Sequence, residues 1–273
     1  MSSPPLAVTL GDPAGVGPEI ITAAWRARDD GTRPFVVYGD AATLAAADAE
    51  VVRIGSPDEA GPVFRHALPV LDMPLPEPVR PGTPSAGAAA AVAGWIAAAT
   101  EACLSGDACG LVTAPISKAV LKAAGFRHPG HTEFIGDLTA HAPWSGVRGP
   151  VMMLAAADLR VTLATIHLPL GQVPQALSAE GILRTARVTA EALVRDFGIP
   201  SPRLAMAALN PHAGESGEIG REEITLLRPV AEALRQEGID ISDPLPADSL
   251  FAPEMRARHD AVVCMYHDQA LIP

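Results

Sequence analysis

Three of the eight histidines follow runs that read as β-strands and stand among polar or turn-forming residues. His167 follows VTLATI and precedes Leu168-Pro169, His212 follows LAMAALN inside NPHAGESGEIG, and His267 follows AVVCMY inside YHDQ. Open α/β sheets place their sites at the carboxyl ends of strands. Three neutral imidazoles converging there would make a metal site with positions left open for water or substrate. Neighbouring Asn, Asp, Gln and Glu side chains are suited to orienting such rings. The competing reading is three unrelated loop histidines, since the spacing is no compact H-x-x-x-H. Convergence across a subunit interface is a further option.

A second constellation is HPGHTEF, residues 128–134. Gly130 lets backbone approach a ligand, while His131 and Thr132 offer an imidazole and a hydroxyl at a candidate helix start, where backbone N–H groups attract anions. A simple Thr cap is the alternative. Thr113-Ala114-Pro115-Ile116-Ser117-Lys118 brings hydroxyls and one lysine after another strand, suited to a phosphate or carboxylate, or else a solvated lysine at a helix start. The loop GDPAGVGPE, residues 11–19, has the wrong glycine spacing for a dinucleotide fingerprint, but its glycines and Asp12 and Glu19 suit a cleft lining. Asp248 in PLPADSLF is a base, an orienting carboxylate or a helix cap. His66, His141 and His259 read as surface histidines, and Cys264 as a core residue.

These residues need a scaffold, and short β-rich runs alternate with helical stretches as in βαβ units around a mainly parallel sheet. Strands are expected over 6–10, 35–38, 51–54, 68–71, 110–113, 151–155, 159–165, 204–208 and 261–265. Helices are expected over 18–28, 41–47, 85–105, 117–124, 178–197 and 222–237. The five prolines within 73–84 mark an irregular surface connection. Glycine and proline cluster within 125–150, where a domain boundary is expected.

Composition narrows the functional classes. The chain has 273 residues, 48% of them hydrophobic and 19% charged, which fits a folded globular protein. Its formal net charge of −11, with no basic run, argues against nucleic-acid or anionic-membrane partners. The Ala-rich stretch within 86–99 reads as a soluble helix rather than a membrane span. Three scattered cysteines form no disulfide framework, and a reducing cytosol is the expected compartment.

GDPAGVGPEI, TAPISKAVLKAAGFRHPGHTEF, ATIHLPL, ALNPHAGESGEIG, PLPADSLF and MYHDQ occur in one order along the whole chain. In that order they resemble the 4-hydroxythreonine-4-phosphate dehydrogenase family of vitamin B6 biosynthesis. The resemblance implies an α/β fold of two domains related to isocitrate and isopropylmalate dehydrogenases, here 1–130 and 131–273, with an active-site cleft between them. It implies a homodimer whose subunits share the site, and a divalent metal (Zn, Mg or Co) on His167, His212 and His267. His131 and Thr132 would contact substrate, with Lys118 beside a phosphate or carboxylate, and His131 or Asp248 would accept a proton. The implied reaction is oxidation of 4-phosphooxy-L-threonine by NAD or NADP to a 3-oxo acid that loses CO₂; no residue is assigned to the nicotinamide. It also implies a segment beyond Pro273 that completes the first domain and supplies further substrate-binding side chains. Two other readings fit the same motifs: a dehydrogenase of D-threonate or D-erythronate 4-phosphate, and a non-catalytic ligand-binding homologue.

Overall fold

Phe35–Gly39 (FVVYG) and Ala261–Cys264 (AVVC) are apolar without alternation, and such strands need cover on both faces. Both are buried along their whole length, each at the middle of a five-stranded sheet. The computed structural model describes residues 3–273. It divides into two compact units, one running to Ala142 and the other Pro143–Pro273.

In the first unit, β1 (Leu6–Thr9), β2 (Phe35–Gly39), β3 (Val51–Arg53), β4 (Leu68–Asp72) and β5 (Leu111–Thr113) form a wholly parallel sheet ordered β3-β4-β2-β1-β5. The helices are α1 (Gly17–Arg26), α2 (Ala41–Ala46), α3 (Ala60–Phe64), α4 (Ala89–Ser105), α5 (Lys118–Ala123) and α6 (His131–Leu138). Ala86–Ser105, α4 with the short turn before it, has the length and apolar composition of a membrane span. Its apolar side is used internally, with Val92, Trp95, Ile96 and Ala99 buried in the sheet's core and the Trp95 indole donating to the Met73 carbonyl at 2.9 Å. Residues 73–84, as expected from their prolines, form no helix or strand.

The second unit contains β6 (Met153–Ala156), β7 (Leu159–Leu163), β8 (Arg203–Ala207), β9 (Asp240–Leu245) and β10 (Ala261–Cys264), ordered β6-β7-β10-β8-β9. Strands β7, β10, β8 and β9 are parallel, and β6 returns antiparallel along β7. Helices α7 (Val173–Ala176), α8 (Ala179–Arg195), α9 (Arg228–Gln236), α10 (Ala247–Leu250), α11 (Pro253–Arg256) and α12 (His267–Leu271) complete the unit. Helix α8 starts at Ser178, whose side chain accepts from the Gly181 N–H at 3.1 Å.

Two sequence expectations move. The division expected after residue 130 lies at 142/143. Helix α6 stays with the first unit because Phe134 and Ile135 pack against that unit's core, so His131 and Thr132 belong to the first unit and not the second. Strand β9 was not expected, since IDISDPL carries two acids and a proline. It is an edge strand, where a missing proline N–H costs no ladder bond. Beside its irregularity the Ser242 hydroxyl accepts the Met206 N–H at 3.0 Å.

Candidate functional site

In the second unit the four parallel strands deliver one candidate residue each to the same sheet edge. Successive strands β7, β10, β8 and β9 lead into His167, His267, His212 and Asp248. His167 and His267 come together, their ring centroids 5.5 Å apart, over a pocket of about 210 Å³ walled by Ile166, Leu170, Val173 and Tyr266. The His267 Nδ1 lies 2.8 Å from an Asp268 carboxylate oxygen. A carboxylate only accepts, so Nδ1 is the donor in this contact and Nε2 is the nitrogen not engaged by Asp268.

His212 reaches this edge by unusual backbone. Residues 212–216 all have φ between 43° and 74°, a left-handed turn in which only Gly214 is free of the Cβ penalty. Glu223, fully buried, accepts the Asn210 backbone N–H at 2.7 Å and its side-chain amide at 3.0 Å. A Cβ on Gly214 would lie 2.7 Å from the Glu223 carboxylate, so this loop closes only around glycine there. His212 is solvent-exposed and outside the pocket walled by the His167–His267 pair. Among the described residues, no three His, Cys, Asp or Glu side chains are gathered closely enough to hold a metal ion. Two imidazoles with one tautomer fixed therefore fit a divalent cation in donor chemistry, and the third stands one strand further along. Asp248 is exposed in the first turn of α10. Cys264 is fully buried, and burial pushes its thiol up to about 12, as a core residue requires.

The first unit carries the other cluster. Its loops after the neighbouring strands β1 and β5 are joined by the Asp12 N–H donating to the Pro115 carbonyl at 2.8 Å. Asp12 turns its carboxylate inward to accept from Ala14 at 2.9 Å. Gly17, opening α1, is a glycine of necessity, because a Cβ would lie 2.2 Å from the Leu10 carbonyl oxygen. Lys118 opens α5, and its ammonium would stand 3.6 Å from a Cβ placed on Gly130. Gly130 caps α6 without a side-chain bond, so no cap side chain occupies that helix start, whose first residues are His131 and Thr132. The His131 Nε2 is buried without a hydrogen-bond partner. Burial, and then the charge of Lys118, hold its pKa below the usual histidine value, leaving a neutral imidazole at pH 7. Thr132 is exposed beside it. His128 packs 5.2 and 5.0 Å from the Phe126 and Phe134 rings, with its Nδ1 3.5 Å from an Asp137 carboxylate oxygen.

Residues 31–273 match the family model of the pyridoxal phosphate biosynthetic protein PdxA. This chain belongs to the PdxA family. The 4-hydroxythreonine-4-phosphate dehydrogenase of Caulobacter vibrioides is 58% identical over 100% of this chain and 83% of its own. Among solved structures, the PdxA-family fold here overlays the 4-hydroxythreonine-4-phosphate dehydrogenase of Klebsiella pneumoniae with a TM-score of 0.88 at 38% identity, covering 99% of this chain and 84% of that one. A terephthalate 1,2-cis-dihydrodiol dehydrogenase from Burkholderia xenovorans is more distant, with a TM-score of 0.71 at 28% identity over 100% of this chain and 82% of its own.

Sequence reasoning missed the residues that hold this PdxA edge together. Thr165 and Gln269 are buried polar side chains whose partners are backbone atoms, and Glu223 is a buried one that holds both the backbone N–H and the side-chain amide of Asn210. The one available signal was a polar residue beside each histidine motif.

Proposed function

We propose that the chain is a 4-hydroxythreonine-4-phosphate dehydrogenase of vitamin B6 biosynthesis, a cytosolic homodimer whose subunits share the active site. The observation that carries this is the delivery of His167, His267 and His212 by three adjacent parallel strands, within a chain 58% identical to a relative of that name. In the proposed reaction the C3–H of 4-phosphooxy-L-threonine leaves as hydride, the C3 hydroxyl loses its proton, and the 3-oxo acid releases CO₂. The enolate is then protonated to 3-amino-2-oxopropyl phosphate.

His167, His212 and His267 would hold one divalent cation (Zn, Mg or Co) through neutral imidazole nitrogens, with His267 using Nε2 because Asp268 engages Nδ1. Such an ion would supply a Lewis acid that lowers the pKa of an alcohol and stabilises negative charge on its oxygen, and NAD or NADP would supply the hydride acceptor. Lys118 and the N–H groups opening α6 would bind an anionic end of the substrate, and the Thr132 hydroxyl would hydrogen-bond it. His131, neutral at pH 7 and with a free buried nitrogen, is the better proton acceptor of the two candidates. The solvated Asp248 is left to orient water or substrate.

NADH and NADPH formation should be followed with 4-phosphooxy-L-threonine and with D-threonate and D-erythronate 4-phosphates. Turnover of the amino acid with release of CO₂ supports the proposal. Turnover of the hydroxy acids alone assigns the chain to that reaction, and cofactor binding without turnover of any of them makes it a ligand-binding protein.

A further inference from the structure

Strand β10 carries His267 beside the strand that carries His167, so the separation of these two imidazoles depends on what fixes its end. The backbone ladder pairs Cys264 with Leu163 on one side and Val263 with Met206 on the other. Beyond those residues side chains take over. The Thr165 hydroxyl donates to the Met265 carbonyl at 2.6 Å, bracing β10 to the β7 side. Gln269 does the same toward β8 with both ends of its amide: its Oε1 accepts the Met265 N–H at 2.7 Å and its Nε2 donates to the Ala208 carbonyl at 2.5 Å. Met265 is thereby held through both its polar backbone atoms, and it is fully buried. Thr165 and Gln269 are buried as well, so water cannot replace these bonds. Each brace lies two positions from a histidine in sequence, and each spends its hydrogen bonds on backbone atoms of Met265 or Ala208.

We propose that Thr165 and Gln269 are positioning residues that fix the end of β10 between its neighbours and so set the separation at which His167 and His267 offer their imidazoles to a cation. The inference rests on the metal reading of these histidines. A cation site tolerates only small changes in donor separation, and losing an outer partner of a ligand typically costs 10–100-fold in affinity.

The test is a titration of the metal-stripped full chain with Co²⁺, read by calorimetry and by the cobalt ligand-field spectrum. Thr165→Val should bind about 10-fold or more weakly with an altered spectrum, and Thr165→Ser, which restores the hydroxyl, should recover both. Gln269→Glu keeps the acceptor for Met265 but turns an oxygen toward Ala208, and should weaken binding similarly. Thr185→Val is the control: it removes a buried hydroxyl that donates to the Gly181 carbonyl within α8 of the same unit. It should lower the melting temperature without moving Co²⁺ affinity. If Gln269→Glu fails to fold, the Thr165 pair decides alone. Wild-type Co²⁺ affinity and spectrum in Thr165→Val overturn the brace while leaving the metal reading intact. Absence of Co²⁺ binding by the wild-type chain overturns both.

Discussion

The Glu223 carboxylate, with no solvent exposure, accepts both the backbone N–H and the side-chain amide of Asn210. Two bonds accepted by one buried carboxyl group pin the entrance of the left-handed turn that carries His212, and the turn's strain is held in place by that anchor. Glu223→Ala should therefore destabilise the second unit by about 1–3 kcal/mol in urea unfolding, because it takes the acceptor from the Asn210 backbone N–H, leaves the Asn210 amide only Glu222, and opens a cavity.

The same strain predicts a gain. Ala213 and Ser216 hold φ of 53° and 60°, where an L side chain costs about 1–2 kcal/mol relative to glycine. Allowing for glycine's greater freedom when unfolded, Ala213→Gly should stabilise by up to about 1 kcal/mol, whereas glycine inside a right-handed helix destabilises. Unfolding midpoints measure both, and a loss of stability on Ala213→Gly would contradict the left-handed turn.

His131 gives a pH signature of definite sign. Its folded pKa lies below the usual 6.5 because of burial and then Lys118, so the unfolded chain binds its proton more readily. Its contribution to stability is thus complete above 6.5 and is lost as pH falls toward the depressed folded value. His131→Gln should flatten the stability profile across that window. If His131 also accepts the substrate proton, kcat/KM of the wild-type chain should fall on the acid side with an apparent pKa below 6.5, and His131→Gln should lose about 10²–10⁴-fold in kcat. An unchanged acid limb in His131→Gln would transfer that role to another group.

Lys118 should act twice. Lys118→Met removes a cation beside the α6 start and should raise KM for a phosphorylated substrate by about 10-fold or more. It also removes the second cause of the lowered His131 pKa, so the acid limb should move to higher pH. A KM effect without that displacement would place Lys118 on substrate but out of electrical reach of His131.

What the sequence made legible followed from local chemistry. Apolar runs ending in polar, turn-rich motifs marked the strand ends, and His167, His212 and His267 each lie just beyond one. Ser178 and the prolines of 73–84 marked a helix start and a connection in the same local way. Strand β9 was hidden because Asp240, Asp243 and Pro244 are tolerated only at an edge that the sequence does not reveal. The allegiance of α6 was hidden because Phe134 and Ile135 choose their core through tertiary packing. Thr165 and Gln269 looked like ordinary polar neighbours, since their meaning lies in bonds between segments distant in sequence. The left-handed turn at His212 had no signal beyond two glycines in AGESG.

The chemistry proposed for this chain turns on one divalent cation held by His167, His212 and His267. The most direct measurement is anomalous diffraction at the zinc or cobalt edge from crystals grown with that ion, counting ligands from either subunit. A single peak with all three imidazoles at about 2.0–2.1 Å, and His267 bound through Nε2, is the expected result. An ion coordinated without His212, or no ion at these residues, would contradict it.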